Sequence, residues 1–336
     1  MNVLVTGGAG YIGSHACLEL LQAGHEVIVV DNLVNSKRES LDRVQEITGK
    51  TLGFHEVDIL DKTSLTSIFG QYSIDVVIHF AGFKAVGESV QLPLVYYRNN
   101  VMGTITLCEV MQQHHVHSMI FSSSCTVYGD PKTIPVKEDS PQIPTNPYGR
   151  SKLVVEDILN DLYKANKEWD IICLRYFNPI GAHPSKRIGE DPTGIPNNLL
   201  PYISQVAVGK LNELSVFGNE YPTDDGTAIR DYIHVVDLAI GHVKALEFLE
   251  TNPGFAAYNL GTGKGCSVLE MIETFEMASG KKIPYKITKP RPGDAAITYA
   301  DPSLAQEKLN WSAKLNLVDM CTDTWGWQEA NPDGYD

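Results

Sequence analysis

This chain of 336 residues has few positively charged residues relative to negatively charged ones. Lys and Arg number 27 against 41 Asp and Glu, which leaves a formal net charge of −14. A nucleic-acid partner needs a basic patch that neutralises phosphates, so the composition argues against nucleic-acid binding. The imbalance still permits one anionic ligand held by a few local arginines.

Membrane, export and metal signals are also missing. No apolar run approaches the length that spans a bilayer, and residues 1–5 already have the pattern of a strand, so we expect neither a membrane segment nor a signal peptide. The six cysteines have no CxxC or zinc-ligand spacing, which predicts reduced core thiols and a cytoplasmic location. The cluster of His114, His115 and His117 lacks acidic or thiolate neighbours, so we predict no metal site.

What is present is the pattern of an α/β protein. A hydrophobic content of 43% is ordinary for a globular protein, and the length suggests two domains or one large unit with an added lobe. Apolar strand patterns alternate with helical ones up to about residue 178, and a stretch rich in Gly and Pro follows. We therefore predict a Rossmann doubly wound parallel sheet over 1–178 and a smaller, mixed α/β substrate lobe over 179–336, with a boundary that chain segments are free to cross.

The first strand runs into a glycine-rich turn. Gly8, Gly10 and Gly13 fit the G-x-G-x-x-G pattern between a strand and a helix. Glycines at these positions permit a tight turn and close backbone approach to a pyrophosphate, and the helix N-terminus offers free N–H groups to it. The pattern therefore predicts a dinucleotide site.

The dinucleotide is predicted to be NAD. Asp31 ends the next strand, about twenty residues after the turn, where a carboxylate accepts hydrogen bonds from a ribose diol and repels a 2′-phosphate. Lys37 and Arg38 lie close by in the sequence and would favour NADP, but we interpret them as solvated and give Asp31 the greater weight.

A second group of residues indicates acid–base chemistry. Tyr148 and Lys152 are four apart in a helical pattern, so they share one helix face. An ammonium beside a phenol stabilises the phenolate and lowers the phenol pKa from about 10, which makes the tyrosine a usable general base. Ser124 ends an apolar strand and is a candidate to hydrogen-bond the substrate oxygen. The alternative is a buried tyrosine and a solvated lysine that merely share helical spacing.

Several candidates share one place in the predicted fold. Asp31, Asp58, Ala81, Ser124 and Phe177 all fall at the carboxyl ends of predicted strands. Ligands of open parallel sheets bind beyond those ends, so these residues are expected to meet at one edge.

Together these residues and several longer stretches resemble the extended short-chain dehydrogenase/reductase family, most closely its branch that interconverts UDP-galactose and UDP-glucose. The stretches are residues 6–13, 31–36, 79–90, 122–129, 175–179, 194–199 and 230–234, along with the Tyr148/Lys152 pair. The resemblance spans essentially the whole chain. It departs from the family at Cys125, where members usually carry Ala.

The resemblance implies an activity and two binding sites. It implies oxidation of the sugar at C4′ to a ketone, rotation of the keto sugar, and return of hydride to the other face, with Ser124, Tyr148 and Lys152 as the catalytic residues. It implies NAD contacts at Gly7, Gly8, Gly10, Tyr11, Ile12, Gly13, Asp31, Asn32, Asn35, Ser36, Asp58, Ile59, Phe80, Ala81, Lys84, Asn99, Tyr148, Lys152 and Phe177. It implies UDP-hexose contacts at Lys84, Ser124, Tyr148, Asn178, Asn198, Leu199, Ser215, Phe217, Arg230, Arg291, Asp294 and Thr298.

Two other functions share the fold. A nucleotide-sugar 4,6-dehydratase needs an Asp-Glu pair just after the catalytic Ser or Thr, and this chain has Cys125 and Thr126 there. An NAD-sensing regulator would not need the Tyr148/Lys152 pair. Both remain alternatives to the epimerase.

The resemblance also implies an assembly and a gate for substrate size. It implies a homodimer through helices at roughly 92–114 and 148–165, with Leu153 and Ile158 at or near the seam. It places Thr298 beside the hexose, where a small residue accompanies acceptance of N-acetylated sugars as well. A slip of one residue would put Tyr299 there and reverse that prediction.

Overall fold

The computed structural model describes residues 1–192, 196, 198–291 and 294–335. Part of the 194–199 stretch, namely Gly194, Ile195 and Asn197, therefore lies outside the described residues, as does Gly293.

The chain alternates strands and helices. The strands are β1 Asn2–Thr6, β2 Glu26–Asp31, β3 Gly53–Glu56, β4 Val76–His79, β5 Ser118–Ser124, β6 Asp170–Tyr176, β7 Asn178–Ile180, β8 Leu214–Phe217, β9 Ile229–Arg230, β10 Tyr232–His234, β11 Phe255–Leu260, β12 Cys266–Ser267, β13 Tyr285–Thr288 and β14 Ile297–Thr298. The α-helices are α1 Tyr11–Gln22, α2 Glu39–Thr48, α3 Lys62–Gln71, α4 Val86–Gln91, α5 Pro93–Tyr96, α6 Gly103–Gln113, α7 Pro147–Ala165, α8 Leu199–Ala207, α9 Val235–Leu249, α10 Val268–Ser279, α11 Ser303–Leu309 and α12 Leu317–Ala330.

The main sheet confirms the predicted fold class. Seven strands lie in the order β11-β6-β5-β4-β1-β2-β3, and every pair is parallel. Helices cover both faces, so the central strands are continuous apolar runs rather than alternating ones. On β1, Val3 and Val5 pack into the core that contains α1 and α9, whereas Leu4 packs into the core that contains α3, α6 and α7.

The second half of the chain builds a smaller lobe and also returns to the main sheet. Small sheets β7–β10, β8–β13 and β12-β9-β14 form the lobe, with a core that includes Ile203, Val216, Met271 and Phe275. The helix α9 and the strand β11 come after the start of this lobe in sequence but pack against α1 and pair with β6. A capping box at Ser267 and Glu270 begins α10.

The predicted helix over 92–114 is wrong as one continuous α-helix. It is divided into α5, a π-helix over Tyr97–Met102, and α6. The wider π turn brings Asn100 to the loop before α4, where its side chain accepts a hydrogen bond from Phe83 N at 2.8 Å and donates one to Phe83 O at 3.0 Å. A long-range contact therefore competes with local helical pairing, and periodicity does not reveal it.

Two features are absent from the described residues. No helix in them is long and apolar enough to cross a membrane. Within the same ranges, no group of three or more His, Cys, Asp or Glu is arranged to hold a metal ion. All six cysteines are free, and five of them are buried.

The close packing of α1 on the glycine turn generates a stability prediction. A Cβ at Gly13 would lie 2.2 Å from Gly7 O and 2.8 Å from Gly8 Cα, both backbone atoms. We expect Gly13→Ala to lower the free energy of unfolding by about 1–3 kcal/mol or more through overpacking. Urea denaturation measures this.

The matched control is Gly70→Ala. Gly70 lies in α3, is exposed, and its Cβ would have only His114 near it, at 4.0 Å. We expect this variant to be as stable as wild type or more stable by up to about 1 kcal/mol, because alanine favours a helix over glycine. Equal stability losses in both variants would contradict the packing argument.

Candidate active site

The glycine turn after β1 has the shape of a phosphate cradle. Gly7 has a φ of +71°, and a Cβ there would lie 2.6 Å from Ala81 N. Among the described residues, the only atom within 4 Å of a Cβ at Gly10 would be Gly7 O, at 3.3 Å, so this side of the turn is open. Gly10 caps α1 without a side-chain hydrogen bond, which leaves the N–H groups of the first turn, including those of Tyr11 and Ile12, available to an anion. The turn therefore fits a pyrophosphate.

Asp31 is held at the end of β2 by three donors. Its carboxylate accepts hydrogen bonds from Ala9 N at 3.0 Å, Leu33 N at 2.9 Å and Ser36 Oγ at 2.9 Å. A carboxylate has about four acceptor positions, so one remains for a ribose hydroxyl.

The two cations near Asp31 have other partners. Lys37 Nζ lies 3.3 Å from Asp191 Oδ2, and Arg38 Nε lies 3.8 Å from Asp42 Oδ2. The prediction that both are merely solvated is therefore incomplete, because each is ion-paired. Their partners weaken the argument for a 2′-phosphate site.

The other predicted cofactor contacts follow along the same edge. Asn32 Nδ2 donates to Asp58 Oδ2 at 2.9 Å, and Ile59 beside it is buried. Phe80 and Ala81 follow β4 and are tied to Thr6 O of β1. The remaining members are Asn35, exposed after β2, Asn99 in the π-helix, and Phe177, buried after β6.

Lys84 has an acidic partner that the sequence did not indicate. Its ammonium lies 2.8 Å from Glu190 Oε1, which also accepts a hydrogen bond from Asn198 Nδ2 at 3.0 Å. Lys84 Nζ lies 5.8 Å from the ring centre of Tyr11, whose hydroxyl donates to Gly181 O at 2.6 Å. One carboxylate thus joins a predicted cofactor residue to a predicted substrate residue. In the sequence, the only indication that Glu190 belongs to the site is its position in the stretch rich in Gly and Pro.

The Tyr148, Lys152 and Ser124 side chains meet at the end of β5. Asn146 caps α7 by accepting a hydrogen bond from Gly149 N at 2.9 Å, and Pro147 occupies its first turn. Lys152 is buried and donates to Ser122 O at 2.7 Å. Ser124 is buried, and its hydroxyl accepts hydrogen bonds from Thr126 N at 3.2 Å and Thr126 Oγ1 at 2.9 Å. The hydroxyl also lies close enough to the phenol of Tyr148 to influence its pKa.

The pKa of Tyr148 is a correction to the sequence prediction. Burial raises it to about 12, although the hydrogen bond from Ser124 acts in the opposite direction. Burial also lowers the pKa of Lys152 to about 8, against the influence of Glu156. The Lys152 ammonium contacts Ser122 O rather than the phenol. Removal from water therefore has a larger effect on the pKa of Tyr148 than the charge of Lys152 has.

Cys125 is a thiol rather than a thiolate. Burial raises its pKa to about 12, with Arg230 acting in the opposite direction. A thiol in this state is a poor acid or base near neutral pH.

The predicted substrate residues form a group in the smaller lobe. Arg291 Nε lies 2.9 Å from Asp294 Oδ2, and its guanidinium carbon lies 4.8 Å from the ring centre of Phe217. Arg230 Nη2 lies 3.9 Å from Asp294 Oδ1. Thr298 is buried and pairs with Arg230 across β14 and β9. The structure thus brings both predicted arginines to one carboxylate.

Three further predicted substrate residues lie around this group. Asn178 begins β7, and its N–H donates to Asp231 O at 2.9 Å. Ser215 lies on β8, two residues before Phe217, and Leu199 is the first residue of α8.

The chain also matches known proteins along its length. The family described as GDP-mannose 4,6 dehydratase matches residues 4–324. A UDP-glucose 4-epimerase of Bacillus subtilis is 61% identical over 335 residues, covering 100% of this chain and 99% of that protein. The human UDP-glucose 4-epimerase is 58% identical over 341 residues, covering 99% and 98%.

A solved structure gives the same picture. The UDP-glucose 4-epimerase of Bifidobacterium longum in complex with NAD+ and UDP superposes with a TM-score of 0.97 at 52% identity, covering 99% of this chain and 100% of that one. This chain therefore belongs to the UDP-glucose 4-epimerase family of the extended short-chain dehydrogenase/reductases.

Proposed function

We propose that this protein is an NAD-dependent epimerase that interconverts UDP-galactose and UDP-glucose at C4′. The observation that carries the proposal is the meeting of Ser124, Tyr148 and Lys152 at the sheet edge that also holds the glycine turn. The C4′–H bond of a hexose is not acidic, so direct inversion is difficult. Oxidation to a ketone removes the stereocentre, and reduction from the other face inverts it.

Three side chains act at the reacting oxygen. Tyr148 takes the proton from the 4′-hydroxyl and later returns it, while the hydroxyl of Ser124 bridges to the same oxygen. Lys152 supplies a positive charge one helical turn away, which favours the phenolate. NAD, when bound, supplies the hydride acceptor and donor, and its oxidised form carries a further positive charge. These charges oppose the burial that raises the pKa of Tyr148.

The cofactor is held by elements of the main sheet. The open glycine turn and the first turn of α1 take the pyrophosphate, and the free acceptor position of Asp31 takes the ribose diol. The other proposed contacts are Asn32, Asn35, Ser36, Asp58, Ile59, Phe80, Ala81, Lys84, Asn99, Lys152 and Phe177.

The nucleotide of the substrate is held by the smaller lobe. Arg230 and Arg291 bind the diphosphate, since guanidinium groups match phosphate geometry. The ring of Phe217 offers a face to the uracil, and Asn178, Asn198, Leu199, Ser215 and Asp294 complete the proposed contacts. A tightly held nucleotide and a loosely held hexose allow the 4-keto sugar to rotate without leaving.

The alternatives have less support. A dehydratase requires an acid and a base at Cys125 and Thr126, and the thiol of Cys125, whose pKa is raised to about 12, is unsuited to that role. A regulator would have no use for Tyr148 beside Ser124 with a buried Lys152 one helical turn away.

The division into a lobe of 1–178 and a lobe of 179–336 is also a proposal, as is a cytoplasmic location. Because α9 and β11 belong to the second half of the chain but pack on the main sheet, we divide the chain by ligand, into a cofactor part and a substrate part, and not into two independently folding domains.

The activity is tested with UDP-galactose alone. We expect UDP-glucose to form without added NAD and without net nicotinamide absorbance change, and denaturation of the protein to release NAD rather than NADP. Tyr148→Phe and Lys152→Ala should each lower kcat by on the order of 10²-fold or more, because each removes part of general-base catalysis. Near-normal turnover by Tyr148→Phe would remove Tyr148 from the role, and release of NADP would overturn the choice of cofactor.

We propose that Thr298 admits N-acetylated hexoses as well. Thr298 is a small residue opposite Arg230, and the ring of the neighbouring Tyr299 packs toward Gly265, 3.5 Å from a Cβ placed there. Adjacent strand residues point to opposite faces, which argues against a slip that exchanges the two side chains. A phenol ring at Thr298 would share space with a 2′-acetamido group.

Substitution at Thr298 tests this gate. We expect wild type to epimerise both UDP-galactose and UDP-GalNAc, and Thr298→Tyr to lose activity on UDP-GalNAc by about 10- to 200-fold while it retains UDP-galactose. Thr298→Ser, which stays small, should keep both. Wild type that leaves UDP-GalNAc and UDP-GlcNAc unchanged would contradict the proposal.

We also propose a homodimer through α7 and the broken helix over 93–113. The segment that precedes and begins this helix carries exposed apolar side chains, with Leu94 80% exposed and Val90 62% exposed. Leu153 packs partly against the chain's own cluster at Val127, which makes it a weaker seam candidate than the sequence suggested, and Ile158 is half-buried. Exposed apolar surface of this kind favours association.

Sedimentation at micromolar concentration tests the assembly. We expect a dimer for wild type and dissociation for Leu94→Lys, because a buried charge at an apolar interface is costly. Met277→Lys is the matched control, since Met277 is 75% exposed on α10 in the other lobe and should leave the dimer intact. A monomeric wild type would contradict the proposal.

A further inference from the structure

The face of α7 that carries Tyr148 and Lys152 carries a third buried ionisable residue. Glu156 follows Lys152 by four residues, so it lies one helical turn further on. Its side chain is only 5% exposed. Carboxylates are almost never buried this fully without a partner, and the proposed reaction gives Glu156 no step.

Arg175 on β6 is the partner. Its Nε donates to Glu156 Oε1 at 3.0 Å and its Nη2 to Oε2 at 2.6 Å, and its side chain is 5% exposed. Its Nη1 donates to Tyr128 Oη at 2.9 Å and to Glu138 O at 2.8 Å. The two-pronged contact fixes the direction of the carboxylate, and the further bonds fix the guanidinium.

The carboxylate also contacts the strand that carries Ser124. The hydroxyl of Ser123 donates to Glu156, and the carbonyl of Ser122 accepts the bond from Lys152 at 2.7 Å. The next residue, Ser124, lies beside the proposed base, whose pKa it influences. Two consecutive residues of β5, Ser122 and Ser123, are therefore bonded to Lys152 and Glu156 on a single face of α7, directly before Ser124.

We propose that Glu156, oriented by Arg175, is a positioning residue that fixes Lys152 and Ser124 relative to Tyr148 and maintains the positive charge of Lys152. The proposal rests on the proposed function, since it assigns Glu156 a role in that reaction. Glu156 acts through other residues and is not itself catalytic.

The charges around Lys152 support the second part of the role. The groups that face the ammonium are Glu156 on α7, with Arg175 on β6 behind it, His79 on β4 and the ring of Phe121 on β5. Tyr148 lies one helical turn before Lys152 on α7. Burial lowers the pKa of Lys152 to about 8, and Glu156 opposes that shift. Burial, assisted by the charge of Lys152, lowers the pKa of His79 to about 3, so the imidazole is neutral.

Glu156→Gln tests the charge. The amide keeps the shape and an acceptor for Ser123 but removes the negative charge, and it leaves Arg175 as an uncompensated cation. Both changes disfavour the ammonium of Lys152, so the alkaline limb of the kcat profile should move to lower pH. We expect kcat at the optimum to fall by about 10- to 100-fold with KM for UDP-galactose unchanged, since small misplacements of catalytic groups cost this much.

Ser123→Ala tests the attachment without disturbing the ion pair. We expect a loss of kcat with an unmoved alkaline limb and an unchanged KM, because the charge stays and only the contact is lost. Thr274→Val is the matched control. It removes a buried hydroxyl that donates to Glu270 O at 2.8 Å in α10, and it should change neither quantity.

A readout besides activity accompanies the kinetics. Ultraviolet difference titration of each variant against the same variant carrying Tyr148→Phe follows the phenolate of Tyr148 alone. We expect Glu156→Gln to move this titration to lower pH. Lys152, with a pKa of about 8, is already neutral where the phenol titrates at about 12, so the variant removes the negative charge of Glu156 and leaves that of Arg175 uncompensated. Ser123→Ala should move the titration little.

The outcomes separate the two proposals. Failure of wild type to interconvert the UDP-hexoses overturns the proposed function, while the phenolate titration still tests the role of Glu156. A folded Glu156→Gln protein with an unmoved alkaline limb and an unmoved titration overturns the positioning role. If Glu156→Gln does not fold, Ser123→Ala tests the positioning role in its place. A kcat of Ser123→Ala equal to that of wild type would then overturn the role.

Discussion

The parallel pairing of β5 with β4 on one side and β6 on the other is the constraint on which the site depends. Registers of Ile78 with Ile120 and of Ile120 with Ile172 align the three strands so that their carboxyl ends reach the same edge. That edge receives the ends of β1 and β2 as well, because all these strands run in one direction. The site lies along this edge, where strand ends and the loops and helices that follow them supply its side chains.

Removal from water sets the chemistry within this edge. Burial alone disfavours both the phenolate of Tyr148 and the ammonium of Lys152, as their pKa shifts show. The pair composed of Glu156 and Arg175 brings two opposite charges into the same region without adding net charge. A change of charge at Glu156 or Arg175 therefore changes the pKa values of the reacting residues, because a protein interior screens charges weakly.

In this acidic protein, each cation proposed to bind an anionic ligand already lies near a carboxylate. Lys84 lies against Glu190, and Arg230 and Arg291 both lie near Asp294. A phosphate that binds at either place competes with a carboxylate already in contact. Selectivity then depends on geometry at short range, because the net charge of −14 offers no long-range attraction to anions.

The sequence by itself determined the features that depend on neighbours along the chain. The glycine turn, Asp31 at the end of β2 and the spacing of Tyr148 and Lys152 are local, and each was predicted from a few residues. The apolar runs of the parallel strands were readable for the same reason, since burial on both faces leaves a continuous pattern.

Tertiary structure decided what depends on distant partners or on the exclusion of water. Glu156 meets Arg175 across 19 positions and Lys84 meets Glu190 across 106, and no spacing rule connects such residues. Asn100 of the π-helix bonds the backbone of Phe83, 17 positions away, and β11 pairs with β6 although β7, β8, β9 and β10 of the smaller lobe lie between them in sequence. The pKa of Tyr148 moves upward because burial outweighs its nearby donors, and burial is a property of the packed chain rather than of the residues beside the tyrosine.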